Sequence, residues 1–355
     1  MNTNENHCFR LPAEWEPQSG IILIWPHEDT DWRPYLNEIT EVYLQMADAI
    51  TRFEPLLITA RDTEKVHSLL AERLTEGQMK RVTLFACDNN DTWARDVAPI
   101  SLVSDKEPKG SLQALRLLDF CFNGWGEKFA AEKDNRINRQ LYEAGFLQGV
   151  LENHKDFVLE GGSIESDGGR TLFTTTGCLM APHRNQPLTQ EEIDKRLRLF
   201  FPNVERVVWL DYGQLAGDDT DGHIDTIVRV APNHTLLYIG CDDKEDEHYE
   251  DFRLLEEQLK QLRTIDGDPY RLLRLPMPDA IYDDGERLPA THANFLIING
   301  AVLVPTYNQP EKDKVALDTI QEAFPDREII GIDSRTIIRQ HGSIHCLTMQ
   351  LPLNG

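Results

Sequence analysis

FPNVERVVWLDYGQLAGDDTDGH (residues 201–223) and FPDREIIGIDSRTIIRQHGSIHC (residues 324–346) are two versions of one pattern. In each, the end of a predicted helix is followed by Phe-Pro, an apolar strand-like run, an acidic residue and finally a reactive side chain. The offsets are 123 residues between the prolines, 122 between the acids and 123 between His223 and Cys346. An offset retained over helix, strand and polar residue indicates an internal structural repeat, in which His223 and Cys346 occupy equivalent places.

Polar residues recur at the predicted starts of β segments through the whole chain. They are Asp96, Glu160, His223, Asn294 and Cys346, with spacings of 64, 63, 71 and 52 residues. Five units in 355 residues average 71 each. A fivefold ring of strand-and-helix units would bring these residues to one axis and leave only protected sheet edges. Accidental spacing without a ring is the alternative that the sequence leaves open.

The local patterns predict an α/β protein with antiparallel pairs mixed in. Apolar residues at steps of three and four predict helices at 36–50 and 249–262, and a capping box of Thr189 and Glu192 predicts a third helix start. Branched and apolar runs predict strands at 55–60, 81–86, 114–120, 206–210 and 328–332. Turn residues predict hairpins at 167–169, 232–234 and 299–300.

Composition narrows the classes of function. The chain has 36 Lys plus Arg against 60 Asp plus Glu, a net charge of −24, which argues against nucleic-acid and anionic-membrane partners and favours small cations. The length predicts two domains or a closed ring of repeats. The N-terminus lacks a secretory pattern, and six dispersed cysteines predict reduced thiols in a cytoplasmic protein. A homodimer is an option that the sequence leaves open.

Two segments carry candidate reactive groups. Cys346 follows a Gly-Ser turn, and the acidic loop at 219–225 places His223 two residues before Asp225. If both lie on a strand they face one ligand together, and by the same alternation His345 points away from Cys346. Zinc ligation by His341, His345 and Cys346 is disfavoured because Gly342 and Ser343 oppose the helix it would need. The spacing fits neither an EF-hand nor a dinucleotide fingerprint.

Three carboxylates complete the candidate site. Asp96 and Glu160 join Asp225 beside one thiol and one imidazole. Carboxylates in one pocket repel each other unless a cation neutralises them, and a Cys-His hydrolase needs only one orienting group. The cation with matching geometry is a guanidinium, which is planar, permanently charged and able to donate paired N–H groups to carboxylates.

At these residues the chain resembles the agmatine deiminase and bacterial peptidylarginine deiminase family of the guanidine-modifying superfamily. The similarity extends over nearly the whole chain. It rests on LPAEWEP (11–17), WPH (25–27), WARD (93–96), EGG (160–162), GHID (222–225), NGA and VPT (299–306) and HC (345–346).

The resemblance implies a five-bladed α/β propeller, the pentein fold, with pseudo-fivefold symmetry and one guanidine-modifying catalytic domain over residues 1–355. It implies Cys346 as nucleophile, His223 as general acid and base, and Asp96 and Asp225 as guanidinium clamps. Glu160 would hold a substrate nitrogen or orient His223. Further substrate contacts are expected from four residues of these motifs and loops and from one acid beside the catalytic loop: Trp93, Gly161, Gly162, Trp125 and Asp218. No metal and no organic cofactor are expected.

The implied reaction is hydrolysis of a guanidinium group through a covalent cysteine thiouronium. Agmatine, converted to N-carbamoylputrescine and ammonia in putrescine biosynthesis, suits an acidic protein because its tail is cationic. Peptidyl-arginine or free arginine, giving citrulline, are the alternatives. The chain departs from the agmatine deiminase pattern, which carries a glycine run where Gln340-His341-Gly342-Ser343 stands here and a Gln pair after the cysteine, and it also differs in the Trp125 loop.

Other classes stay open on the residues alone. A Cys-His amide hydrolase would use Cys346 and His223 without needing three acids. An amidinotransferase would pass the covalent group to an amine in place of water. A guanidine-binding protein without activity would leave Cys346 and His223 with no chemical role, and its thiol would have an ordinary pKa near ~8.5.

Overall fold

Small mixed sheets, flanked by helices, make up the fold of the computed structural model, which describes residues 9–108 and 110–353. The strands are β1 Phe9–Arg10, β2 Gln18–Ile24, β3 Leu56–Ala60, β4 Val82–Ala86, β5 Ile100–Ser104, β6 Leu115–Cys121, β7 Val150–Val158, β8 Ile164–Ser166, β9 Thr171–Thr175, β10 Arg206–Leu210, β11 Val228–Ala231, β12 Thr235–Gly240, β13 Arg271–Pro276, β14 Tyr282–Asp283, β15 Glu286–Arg287, β16 Leu296–Ile298, β17 Ala301–Thr306, β18 Glu328–Asp333 and β19 Thr348–Pro352.

The helices pack against these sheets and bury one apolar face each where they are long. They are α1 Leu36–Thr51, α2 Thr63–Arg73, α3 Glu76–Met79, α4 Ala94–Val97, α5 Gly124–Glu127, α6 Asp134–Glu143, α7 Thr176–Leu179, α8 Gln190–Phe200, α9 Tyr249–Gln261 and α10 Pro310–Ala323. Short 3₁₀ turns lie at Arg33–Tyr35, Leu112–Ala114, Gly161–Ser163, Ile224–Thr226 and Ile337–Gln340. No helix in the described ranges is long and apolar enough to cross a membrane.

One pairing pattern recurs in the five sheets of three or four strands found among the described residues. An entry strand pairs antiparallel with a central strand, which then pairs parallel with a third: β5-β6-β7, β8-β9-β10, β11-β12-β13, β16-β17-β18 and β19-β2-β3. In the last sheet the entry strand comes from the end of the chain and the central strand from its beginning. The two chain ends are therefore tied into one sheet.

The repeat read from the sequence matches this pattern. Strands β10 and β18, which carry the two similar segments, are both the third strand of their sheet, and His223 and Cys346 both come shortly before the next entry strand. Asp96, Glu160 and Asn294 take the same place, so each of the five polar residues lies two to five residues before an entry strand. The regular spacing is structural. No strand ladder joins one sheet to the next in residues 9–108 and 110–353, so closure into a five-bladed propeller stays a prediction.

The predicted elements are confirmed with shifts of a residue or two at their ends. Helices α1, α8 and α9, the five predicted strands and the three hairpins form where the patterns place them. One inference was wrong: residues 224–226 form a 3₁₀ turn and no strand, and β19 starts only at Thr348. The alternation of side chains along a strand therefore does not set the relative directions of His223 and Asp225, or of His345 and Cys346.

The cysteines that the structure describes are all free thiols: Cys87, Cys121, Cys178, Cys241 and Cys346. Cys8 and the polar N-terminal segment that the sequence analysis used lie outside the described residues. Buried apolar side chains form one large cluster with members from Phe9 to Met349 and a second from Phe173 to Phe324. The first cluster thus connects residues from both ends of the chain.

We expect Thr189→Ala to destabilise the protein by about 1 kcal/mol, because the Thr189 side chain accepts from the Glu192 backbone N–H and the Glu192 carboxylate accepts in return from Thr189. Chemical denaturation of the full chain measures the change. Thr319→Ala, within α10, is the matched control and should stay within about 0.5 kcal/mol of the parent. Equal effects of the two substitutions would contradict the capping argument.

Candidate active site

Gly162 marks the point where three of the predicted residues meet. A Cβ atom at this position would lie 2.6 Å from His223 Nδ1, 3.1 Å from Asp225 Oδ2 and 3.1 Å from Asp96 Oδ1. The Gly162 N–H donates to Asp96 Oδ1 at 3.0 Å. Only glycine leaves room for this convergence, so Gly162 is fixed by close packing of the site. Asp96 comes from the segment before β5, His223 and Asp225 both come from the segment before β11, and Gly162 itself precedes β8.

Cys346 lies at the same place and is buried. Its Sγ is 3.3 Å from Asn294 Oδ1 and 3.8 Å from Asp225 Oδ2, and its backbone N–H donates to the same Asn294 oxygen at 3.2 Å. Burial, followed by the negative charges of Asp225 and Asp96, raises the pKa of the Cys346 thiol well above its usual range. In the unliganded protein the nucleophile is therefore held as the thiol.

His223 is fully buried, and the geometry gives neither of its ring nitrogens a hydrogen bond to the described residues. Its Nδ1 lies 3.8 Å from Asp96 Oδ1. Burial opposes ionisation of the ring, but the charge of Asp96, the interaction with Cys178 and the charge of Glu160 outweigh it and raise the pKa of His223 well above its ordinary value. The imidazole is thus a cationic proton donor at neutral pH.

Asp96 and Asp225 are both buried but are held differently. Asp96 Oδ2 accepts from Trp125 Nε1 at 3.0 Å, and burial raises its pKa. For Asp225 burial also acts to raise the pKa, but the hydrogen bond from His345 Nδ1 at 2.7 Å and the charge of that ring lower it overall. Asp225 is therefore the firmly ionised carboxylate beside Cys346.

Glu160 is fully buried and is paired on one oxygen only. Arg184 Nε donates to Glu160 Oε1 at 2.8 Å, and the same guanidinium donates to Asp221 Oδ2 at 2.7 Å and to the Thr220 carbonyl at 2.7 Å. Glu160 Oε2 has no hydrogen-bond partner among the described residues. Arg184 therefore anchors Glu160 to the acidic loop and leaves its second oxygen free for another group.

A network of buried charged side chains contacts the site through Asp225. Glu14 accepts from Arg95 Nη1 at 2.9 Å and from Arg229 Nη2 at 2.6 Å, and its carboxylate lies 2.9 Å from His345 Nε2. His345 then reaches Asp225 through Nδ1. Both His345 and Cys346 contact Asp225 Oδ2. The chain at these residues has not yet entered β19, so the strand alternation from which His345 was predicted to point away from Cys346 does not apply here.

A cavity of about 130 Å³ opens from Cys346 and Asp96. The rings of Trp93 and Trp125 stand near its inner end, 6.3 Å apart and edge to face. Its remaining lining residues are mostly acidic, polar or aromatic: Asp31, Asp91, Phe129, Asp219, Thr220, Gln340, His341 and Gly342. No Lys or Arg is among the lining residues in the part of the chain that the structure describes. The cavity is chemically suited to a cation with an extended tail.

Two predicted substrate contacts are corrected by the geometry. Asp218 accepts from the Thr220 hydroxyl at 2.7 Å and from the Gly222 N–H at 2.7 Å, so it organises the loop, whereas Asp219 lines the cavity. Gly161 lies against the Arg95 carbonyl: a Cβ atom at this position would overlap with the carbonyl oxygen. Trp93, Trp125, Asp96 and Cys346 line the cavity, and Gly162 donates its N–H to Asp96, one of these lining residues; their roles toward a substrate stay predictions.

Sequence reasoning missed three members of the site: Arg184, His341 and His345. It included Asn294 only as one of the five regularly spaced polar residues and gave it no chemical role. Half-buried Asp219 has a pKa raised to about 6, by burial first and then by Asp218, while His341 and Lys128 act in the opposite direction. The direction in which each loop residue points is set by its turn, and sequence spacing does not report it.

A sequence model of the family described as Porphyromonas-type peptidyl-arginine deiminase matches residues 10–352. The chain belongs to this family. The agmatine deiminase of Pseudomonas aeruginosa is 32% identical to this chain, and the match covers 97% of this chain and 95% of that relative.

Solved structures of related proteins are similar to this chain over nearly its whole length. A protein of Porphyromonas gingivalis provisionally described as an arginine deiminase is 47% identical, with a TM-score of 0.90 over 98% of this chain and 99% of that one. A cysteine-to-serine variant of the agmatine deiminase of C. jejuni with substrate bound is 35% identical, with a TM-score of 0.88 over 98% and 97% of the two chains. This family member therefore shares its fold with deiminases over its whole described length.

We expect Cys346 to be alkylated slowly by iodoacetamide at pH 7 and faster only above the usual thiol range near ~8.5, because its raised pKa keeps it protonated below that pH. Asp225→Asn removes a negative charge from beside the thiol and should speed alkylation at pH 8 roughly tenfold, which is about one pKa unit. Peptide mass mapping separates Cys346 from the other thiols.

The control for this experiment is Asp284→Asn, which removes the same charge at an exposed turn and should leave the rate unchanged. An alkylation profile of the parent with a midpoint below pH 8 would contradict the electrostatic account of the thiol.

Proposed function

We propose that this protein hydrolyses agmatine to N-carbamoylputrescine and ammonia through a thiouronium on Cys346. The observation that carries the proposal is a buried thiol 3.8 Å from an ionised carboxylate, at the end of an acidic cavity with no Lys or Arg among its described lining residues. Curated relatives named agmatine deiminase, similar along the whole chain, support the choice of substrate. A peptidyl-arginine or free-arginine deiminase is the alternative within the same chemistry.

Binding places a guanidinium between the site carboxylates. Asp96 and Asp225 flank Gly162 on the side of Cys346, and Glu160 has one oxygen free, so each can accept N–H groups of the planar cation. The clamp fixes the central carbon in front of the sulfur and supplies the proximity that the reaction needs. The arriving positive charge offsets the carboxylates that suppress thiol ionisation, and the thiol proton is lost to solvent.

The covalent step follows from these charges. The Cys346 thiolate attacks the guanidinium carbon, and cationic His223 gives its proton to one amino group, which leaves as ammonia. The product is a positively charged thiouronium with neutral His223. His223 then takes a proton from water, the hydroxide attacks the same carbon, and the carbon–sulfur bond breaks. The ureido product passes its extra proton to the Cys346 thiolate and leaves, so that the Cys346 thiol and cationic His223 are both restored.

The cavity walls favour a cationic tail. Asp219 lies among its lining residues with Asp31 and Asp91, and the lining has no guanidinium or ammonium to bind the carboxylate of free arginine. Gln340 and His341, where the chain departs from the usual glycine run, also line this cavity. Two of the three departures from the agmatine deiminase pattern, at residues 340–342 and in the Trp125 loop, therefore lie among the lining residues of the cavity.

We further propose that the five sheets are blades of a five-bladed α/β propeller within one catalytic domain over residues 1–355. The shared pairing order, the equivalent placement of five polar residues before the entry strands and the β19–β2 pairing of the two chain ends support it. In this arrangement the entry loops surround one axis, which accounts for the convergence of residues 250 positions apart in sequence.

Ammonia release from agmatine, free L-arginine and a blocked arginyl peptide tests the function, with a chelator present. We expect release from agmatine, and a loss of more than about 10³-fold in Cys346→Ser, because the nucleophile is removed. Cys241→Ala, a free thiol remote from the cavity, is the control and should retain activity. Release from the peptide alone would replace the substrate, while Cys346→Ser activity within tenfold of the parent would contradict the mechanism.

Asp219→Asn should raise the KM for agmatine about tenfold or more, equivalent to about 1.4 kcal/mol, with a smaller change in kcat. Because the pKa of Asp219 is raised to about 6, the parent should lose affinity as pH falls through 6, where this carboxylate becomes neutral. The variant should lack that part of the pH profile. Asp31→Asn, at an exposed lining residue, is the comparison and should change KM less. A parent-like KM profile in Asp219→Asn would place the tail elsewhere.

A further inference from the structure

A second buried thiol lies against the candidate site and has no part in the proposed reaction. Cys178, in α7, is fully buried, and its Sγ, a ring nitrogen of His223 and a carboxylate oxygen of Glu160 all lie within 4.8 Å of one another. The three residues come from different loops and segments of the fold. A thiol, an imidazole and a carboxylate at this separation are the donor set of a metal site.

Two of the three donors have free atoms. Both side chains are completely buried. The two ring nitrogens of His223 have no hydrogen-bond partner among the described residues, and the same holds for Glu160 Oε2. Unsatisfied buried polar atoms are rare because each has given up its hydrogen bonds to water without replacing them. These atoms are therefore available to bind an ion with little loss of existing contacts.

A second group of possible metal ligands elsewhere in the chain does not have such free donor atoms. Glu14, Glu165 and His345 also lie within 4.8 Å of one another, but Arg95 and Arg229 already neutralise their carboxylates. At the Cys178 group Arg184 pairs with Glu160 on one oxygen only. Asp96 and Asp225 add further negative charge at the same centre, as the shared contact with Gly162 demonstrates. The net charge there favours a cation.

The chemistry of the donors selects the kind of ion. Thiolate and imidazole ligands favour Zn²⁺ and similar thiophilic cations over Mg²⁺ and Ca²⁺, which prefer oxygen. Bond lengths of about 2.0–2.3 Å to zinc require ligand atoms roughly 3.3–3.8 Å apart. The three atoms lie within 4.8 Å of one another, so each pair needs to approach by at most roughly 1.5 Å. Three protein ligands would leave the fourth tetrahedral position open to water.

We propose that Glu160, Cys178 and His223 form a binding site for a thiophilic divalent cation such as Zn²⁺ or Cd²⁺, and that the bound ion blocks guanidinium binding. On binding, the Cys178 thiol and cationic His223 each release a proton to solvent, and the freed lone pairs coordinate the ion. Glu160 and His223 cannot hold the metal and serve a substrate together. The ion and the substrate therefore exclude each other.

Titration of the full chain with Co²⁺ tests the site directly, since thiolate ligation gives a sulfur-to-cobalt charge-transfer band in the near ultraviolet. We expect the band in the parent and in Cys346→Ala, and its loss in Cys178→Ala with a rise of at least about 100-fold in the dissociation constant. A band that persists in Cys178→Ala and disappears in Cys346→Ala would overturn the proposal, as would a parent with no band.

A second variant keeps the test decisive if Cys178→Ala does not fold. Glu160→Gln retains the thiol but removes an anionic ligand, so it should weaken cobalt binding at least about tenfold; an unchanged affinity would overturn the assignment. Cys87→Ala, at a free thiol remote from the cavity, is the matched control and should bind like the parent.

The competition with substrate rests on the proposed function and is measured separately. Zn²⁺ should raise the KM for agmatine in the parent without lowering kcat, and a chelator should reverse the effect. An absence of ammonia release would count against the proposed function only, because the cobalt band needs no turnover. Inhibition that lowers kcat at unchanged KM would overturn the proposed exclusion of substrate by the ion.

Discussion

The ionised carboxylate of Asp225 is the interaction on which the rest of the site depends. It is completely buried, lies 3.8 Å from the Cys346 sulfur and accepts from His345 at 2.7 Å. A buried carboxylate stays charged only with compensating donors and cations nearby. His345 provides the first contact, and through Glu14 it connects to the buried guanidinium groups of Arg95 and Arg229. The network below the site thus sustains a negative charge where a cationic substrate is to be bound.

The same charge helps to keep Cys346 protonated in the empty site. Burial, followed by Asp225 and Asp96, raises the pKa of Cys346, and Asp96 also raises the pKa of His223. A guanidinium between these carboxylates replaces the missing counterion and removes the obstacle to thiol ionisation. Substrate binding and activation of the nucleophile are then one electrostatic event. A neutral amide would bring no such charge, which separates this site from that of a Cys-His amide hydrolase.

The features that sequence could predict are those set by periodicity and by retained offsets. The offset of 122–123 residues placed His223 and Cys346 correctly before equivalent entry strands. The series of five regularly spaced polar residues also included Asn294. The inference failed where it needed the direction of a side chain in a turn. His223 and Asp225 converge although residues 224–226 are a 3₁₀ turn, and of the acids in the loop before His223 it is Asp219 that lines the cavity.

Cys178 and Arg184 were beyond sequence reasoning for another reason. Each is a single residue whose role comes only from packing against a loop distant in sequence: Cys178 on His223, and Arg184 on Glu160 and Asp221. No periodic pattern marks such a contact. Tertiary structure alone distinguishes this buried cysteine from the other free thiols of the chain, which lack a buried imidazole and carboxylate within ligand distance in the described ranges.

His341 indicates how one deiminase site can change its preferred tail without changing its chemistry. It stands where the family pattern has a glycine run, and its φ of 66° is a left-handed conformation that costs a non-glycine residue energy. Its Nδ1–H donates to the Gly217 carbonyl at 2.7 Å, a contact that offsets part of this cost and joins the loop before Cys346 to the acidic loop before His223. The ring thereby lies beside Asp219, whose pKa its charge lowers against the effect of burial. A glycine would provide neither the hydrogen bond nor the charge, so the electrostatics of the cavity mouth depend on this pair of loops, while the guanidine-binding residues stay fixed by the entry strands behind them.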